Sequence, residues 1–202
     1  MKDGREVNEA YRHHAIVVRR MNAGFKGVAW KESKKQFEAD GVTLDEVVVQ
    51  LKKHVDMAYD QIARSRTESP RAQEYMRAFQ SIRMGITPGQ CAMLEAHYRS
   101  PEMTITVKQL ADAAGYKDWP AANLHYGLLG RALYDHVPTI LETDPDGTPI
   151  YTFVLAEEGE RASSGMYWKW ILRPEVAAAL ESFGLNDENR SGAVLEDFFR
   201  GK

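Results

Sequence analysis

The sequence predicts an α+β protein in two parts, and three observations carry that expectation. β-Branched and aromatic runs at residues 15–18 (AIVV) and 25–30 (FKGVAW) precede an apolar stripe at helical spacing, Leu44, Val47, Val48, Leu51, Val55 and Ile62. Three Thr-x-x-Glu/Gln patterns, starting at Thr43, Thr87 and Thr106, each stand before an apolar run. A threonine there caps the first free N–H groups while the Glu or Gln three residues on reaches back. Charge also divides along the chain: residues 1–80 hold 15 Lys/Arg against 12 Asp/Glu, and the rest hold 11 against 17.

The first part, residues 1–66, reads as β-β-β-α. Asn22-Ala23-Gly24 is turn chemistry between the first two strands, and residues 33–39, centred on Phe37, suit a third. Asp40-Gly41 ends it, and the helix opened by Thr43 runs to about Arg64. A single amphipathic helix needs a partner surface, which the sheet supplies. Residues 67–85 read as a linker helix, with Ser69 as cap, Pro70 in the first turn and an apolar face of Tyr75, Met76, Phe79 and Ile82.

The second part, residues 86–185, starts with a helix behind Thr87-Pro88 that stops at Ser100-Pro101. A short extended piece (103–105) leads to a helix that Gly115 ends, and a longer helix runs over 119–133. Two helices joined by about four residues with a glycine have the helix-turn-helix layout. Extended segments at 139–141, 149–156 and 167–172, a turn at Asp144-Pro145-Asp146-Gly147, a polar loop at 157–165 and a helix from Pro174 complete the expectation of a decorated winged helix. The tail, 186–202, is polar and then apolar at helical spacing (Val194, Leu195, Phe198, Phe199), which suits packing within the chain or across a homodimer.

Two resemblances follow from these residues. The run ADGVTLDEVVVQLKKHV after two strands resembles the HicB-type antitoxin module, over roughly residues 12–60. That module is similar to dsRNA-binding and partial RNase H-like domains, and it implies a binding role without a reaction. The stretch ITPGQCAMLEAHYRSPEMTITVKQLADAAGYKDWPAANLHYGLLGRAL, with YWKWILRPEVAAALESFGL, resembles a bacterial winged-helix module found beside or fused to HNH-type restriction nucleases. The resemblance implies that 119–133 is a recognition helix. No His-Asn-His or zinc-ligand constellation accompanies it, so nuclease activity does not carry over.

The composition excludes several classes. A lone Cys91 rules out a disulfide framework or a cysteine-cluster zinc site and suits the cytoplasm. No run approaches the ~20 apolar residues of a membrane helix, and Met1 to Glu6 have no signal-peptide character. There is no G-x-S-x-G, P-loop, G-x-G-x-x-G or H-E-x-x-H, so no enzyme and no cofactor is expected. Base and phosphate recognition calls for Lys, Arg, Asn and Gln on a recognition helix, which nominates Lys117, Asn123, His125 and Arg131. The basic stretch of the first part adds Arg19, Arg20, Lys26, Lys34 and Lys35 as phosphate contacts. Tyr116, Trp119 and Tyr126 suit either a small core or a base pocket. Adjacent His13 and His14 point to opposite faces of a strand and read as surface or rim residues.

The expected function is a non-enzymatic DNA-binding protein, regulatory or tied to restriction and phage defence. The alternative is a protein-binding inhibitor or adaptor of the phage anti-defence type, with acidic winged-helix surfaces. The expected partners are accordingly double-stranded DNA or a protein or nucleoprotein defence complex. Residues 86–136 carry four Lys/Arg against five Asp/Glu, so DNA contact by this part alone would lean little on charge.

Overall fold

The structure, a computed structural model, describes residues 5–161, 168–187 and 193–201. The chain is α+β and divides into two compact units, residues 1–66 and 67–202.

The first unit is a four-stranded antiparallel meander, β1 (Arg5–Tyr11), β2 (His14–Met21), β3 (Gly24–Lys31) and β4 (Lys34–Gly41), followed by α1 (Leu44–Ser65). Thr43 Oγ1 accepts from the Glu46 N–H at 3.2 Å, and the Glu46 carboxylate turns back onto the Val42 N–H at 3.1 Å. Helix α1 lays Val47, Leu51, Val55 and Tyr59 on the sheet face formed by Ile16, Val18, Ala29 and Ala39, all buried. Each such large apolar side chain contributes about 2 kcal/mol over exposure.

The unit has one strand more than the β-β-β-α expectation. Strand β1 (REVNEAY) shows no clear apolar alternation, because Glu9 and Tyr11 accompany Val7 on its inward side. Glu9 pairs with Lys52 at 3.0 Å and the Tyr11 hydroxyl donates to Asp56 at 2.9 Å, so α1 holds this edge strand by charge and hydrogen bonds. His13 therefore lies in the β1–β2 turn and His14 opens the second strand, buried rather than at a rim.

Two hairpins turn on residues without glycine. Glu32 and Ser33 sit at φ 48° and 62°, as Arg12 and His13 do at 45° and 60°. The left-handed region costs an L-residue roughly 1 kcal/mol, and two-residue loops of this kind favour Asn-Gly. The double substitution Glu32→Asn, Ser33→Gly is expected to stabilise the chain by about 1 kcal/mol. A raised denaturant midpoint would bear this out, and a lowered one would contradict the turn geometry.

The second unit begins with α2 (Ala72–Ile82) and α3 (Pro88–Arg99), then β5 (Thr104–Thr106), α4 (Val107–Ala114) and α5 (Trp119–Tyr134). Strands β6 (Ala156–Arg161) and β7 (Trp168–Leu172) follow, then α6 (Pro174–Glu181) and α7 (Val194–Arg200). The small antiparallel sheet has the order β5-β7-β6. The order through this region is helix, strand, helix, helix and a strand pair, with the first strand closing on the last. The Thr87–Gln90 and Thr106–Gln109 capping boxes both form, and Gly115 closes α4 at φ 68°.

Three expectations are corrected here. Helix α2 starts at Ala72 and is part of this unit's core, not a linker: Tyr75 and Phe79 are fully buried, and the Tyr75 hydroxyl donates to the Val154 carbonyl at 2.7 Å. The strand expected over 149–156 does not form before Ala156. Tyr151–Val154 is a 3-10 turn pressed onto α5, and Val154, Leu155 and Ala156 are buried in succession, which a half-exposed strand would not allow. Residues 156–161, expected mostly as loop, are β6; positions 162–165 of that loop and Tyr167 of the strand expected after it lie outside the described residues, as do 188–192 of the tail. The tail helix α7 packs within its own unit, where the Leu195 N–H donates to Glu95 at 2.7 Å and Phe199 stacks on Phe79.

Candidate nucleic-acid interface

Helix α5 is placed by contacts from three directions. His97 on α3 is fully buried and bridges two elements: one ring nitrogen lies 2.9 Å from the Trp170 carbonyl and the other 2.7 Å from the Tyr126 hydroxyl. A carbonyl only accepts, so Nε2 carries the proton and Nδ1 accepts from Tyr126. Burial pushes the His97 pKa down to about 4 and the Tyr126 phenol up, so both are neutral here. Tyr126 also stacks on Trp170 at 5.8 Å. Gln90 Nε2 donates to the His125 carbonyl at 3.0 Å, and Gly130 meets the Tyr151 backbone so closely that a Cβ there would lie 2.1 Å from its oxygen.

The buried side of α5 is thus Ala122, Tyr126, Leu129, Gly130 and Leu133. The opposite side presents Asn123, Leu124, Leu128 and Arg131, all exposed, with exposed Lys117 in the turn ahead of it. Asp118 caps the helix through the Ala121 N–H at 3.2 Å, which fixes where this row begins. Arg131 lies over the Tyr151 ring at 5.1 Å and donates to its hydroxyl at 3.2 Å.

His125 differs from the other expected contacts. Its ring is half-buried and stacks on Tyr116 at 5.1 Å, on the side of α5 facing α3 and α4. The three aromatics weighed as a core or a pocket take three environments: Tyr126 is enclosed, Tyr116 stacks on His125 and Trp119 is 48% exposed.

In the first unit, the basic residues are not one free cluster. Lys26 and Lys35 both bond Glu38, Lys35 at 2.6 Å, and these bonds hold the Glu38 carboxyl down at about 2. Arg20 lies 6.0 Å over the Phe25 ring. Arg19 and Lys34 are exposed. Arg12, which no sequence pattern singled out, is bound to Asp56 at 2.6 Å beneath the β1–β2 turn and lies 4.2 Å over Tyr59.

His14 Nδ1 donates to the Arg12 carbonyl at 2.7 Å, and burial lowers its pKa. Cys91 is buried and its thiol is pushed up to about 12 by desolvation, so it is not a nucleophile at neutral pH. Among the described residues no group of three His, Cys, Asp or Glu side chains could hold a metal ion, and no helix is long and apolar enough to cross a membrane.

These observations define the class: an α+β chain with a four-stranded antiparallel sheet and one helix in its first unit, and helices around a small three-stranded sheet, with one face of α5 exposed, in its second. No family model, curated protein or solved structure matches the chain.

Proposed function

We propose that the chain is a non-enzymatic DNA-binding protein that lays α5 in a major groove, in the regulatory or restriction-linked cytoplasmic setting its resemblance implies. The observation that supports this reading is the exposed row Lys117, Asn123 and Arg131 at and along the second helix. An asparagine amide can pair with both polar positions of an adenine edge, and the two cations suit phosphates on either side. Leu124 and Leu128 between them suit thymine methyl groups.

Two phosphate contacts set a modest salt dependence. Affinity for duplex DNA is expected to fall about tenfold between 50 and 200 mM salt. Asn123→Ala, at an exposed position, is expected to cost about 1–3 kcal/mol of sequence discrimination. Fluorescence anisotropy with labelled duplexes reads both. No binding at 50 mM salt would sink the proposal.

A second reading is favoured by a specific observation. Trp119, Leu124 and Leu128 are all about half exposed or more on this helix, and β6 carries Glu157, Glu158 and Glu160. Such a surface also suits a protein with an apolar cleft and basic rim, in the manner of an anti-defence inhibitor. A chain that ignores duplex DNA but loses a co-purifying protein on Leu124→Asp would favour it.

A further inference from the structure

One face of the first unit's sheet lies under α1, and the other is turned away from it. On the far face Val17, Val28 and Trp30 line a shallow hollow of about 300 Å³, and the charged residues that line it, Arg19 and Lys26, are both cations. Trp30 is 38% exposed, and Met21, which also lines the hollow, 56%. In the row of Trp30 the register sets Ala15 and then Ala10 on one side and Lys35 on the other. The alanines carry no bulk to bar a flat group from the indole, and Lys35 adds a third cation at that end.

The face keeps a positive surplus. Lys26 and Lys35 share the single carboxylate of Glu38, Lys35 at 2.6 Å, and Asp40 stands across the strands from Lys26. Arg19 is exposed and forms no ion pair among the described residues. The cations stand at both ends of the apolar floor, Arg19 and Lys26 at one and Lys35 at the other. Such a face suits an anion with a flat apolar part.

Geometry decides which anion. A peptide laid on this face finds no main-chain partner, because β2 and β3 are each paired on both sides. A nucleobase needs none. It stacks on an aromatic ring while its phosphates meet the cations, which is how a four-stranded sheet holds a single strand. A duplex keeps its bases inside the stack and offers Trp30 nothing to cover.

We propose that this face is a second nucleic-acid site, for a single strand, with one base stacked on Trp30, its neighbour over Val28 and phosphates at Arg19 and Lys35. The site is separate from α5 and does not rest on the duplex reading. Glu38 competes with the phosphates for Lys26 and Lys35, so it holds the affinity down.

Fluorescence anisotropy of the full chain with labelled oligo(dT) and oligo(rU) of about ten nucleotides, at low salt, tests the proposal. Binding by either supports the site, and the ratio between them tells DNA from RNA. Trp30→Ala is expected to weaken binding roughly tenfold, the loss of one base stack, and Trp30→Phe to recover most of it. An abasic oligomer of equal length is expected to bind about tenfold more weakly than the parent oligomer. Glu38→Gln releases both lysines and is expected to tighten binding roughly threefold and to steepen its salt dependence. Glu38 forms only partly exposed surface ion pairs, so this variant keeps the test open even where Trp30→Ala fails to fold. No binding of either oligomer overturns the proposal. Binding indifferent to Trp30→Ala and to loss of the bases, or weakened by Glu38→Gln, also overturns it. So does single-strand binding abolished by Asn123→Ala, which would put the strand on α5. A chain that holds single strands through Trp30 but ignores duplex leaves this inference standing and removes the α5 reading, so the two failures are distinct.

Discussion

Gly130→Ala is expected to destabilise the second unit by about 3 kcal/mol and to lower its melting temperature by roughly 10 °C. The reason is a backbone contact, not helix propensity. A Cβ at residue 130 would sit 2.1 Å from the Tyr151 carbonyl oxygen and 2.8 Å from its carbon. Neither atom is the end of a flexible side chain, so the whole turn at Tyr151–Val154 would have to move off α5, loosening Thr152 and Val154 from the core. Gly127, one turn earlier, provides the control. A Cβ there meets only Thr152 Oγ1 at 3.9 Å, so Gly127→Ala is expected to be neutral or to stabilise by up to about 1 kcal/mol. Thermal denaturation of both variants checks the pair. Equal effects from the two would refute the close approach.

The second large effect belongs to His97 and pH. Its folded pKa is about 4 against an ordinary value of 6.5, chiefly because burial penalises the imidazolium. Between these values the unfolded chain binds a proton that the folded chain does not. The stabilisation is therefore complete above about pH 6.5, is lost as pH falls toward 4, and amounts to about 3 kcal/mol. His14, also lowered by burial, adds to the first unit with the same sign. His97→Gln keeps a donor for the Trp170 carbonyl and removes the titration. Its denaturation midpoint, followed from pH 7 to 4.5, is expected to drop less steeply than that of the parent chain. Parallel curves would show that His97 is not the group that resists protonation.

Much of the architecture is legible because local chemistry and tertiary packing agree. Thr43, Thr87 and Thr106 mark their helix starts to the residue, and Gly115 marks the end of α4. Strand β1 is not legible, because Glu9 and Tyr11 face α1 through partners forty-odd residues away that no periodicity reveals. Residues 150–156 mislead for the opposite reason. Their apolar run suits a strand, yet contact with Gly130 and the Tyr75 hydroxyl folds part of it into a turn.

The candidate site divides similarly. Asn123 and Arg131 can be placed on one side of a helix by spacing alone. That His125 turns inward depends on Tyr116, and that Lys26 and Lys35 converge on Glu38 depends on the β3–β4 register. The buried His97–Tyr126 pair carries no sequence signal of its own.

The most direct measurement of the proposed function follows the side-chain amide of Asn123 by ¹⁵N-edited NMR as duplex DNA is added to the full chain at low salt. The expected result is a shift of that resonance together with the backbone amides of Lys117 and Arg131. Shifts confined to other surfaces, or none at all at saturating duplex, would contradict the placing of DNA on α5.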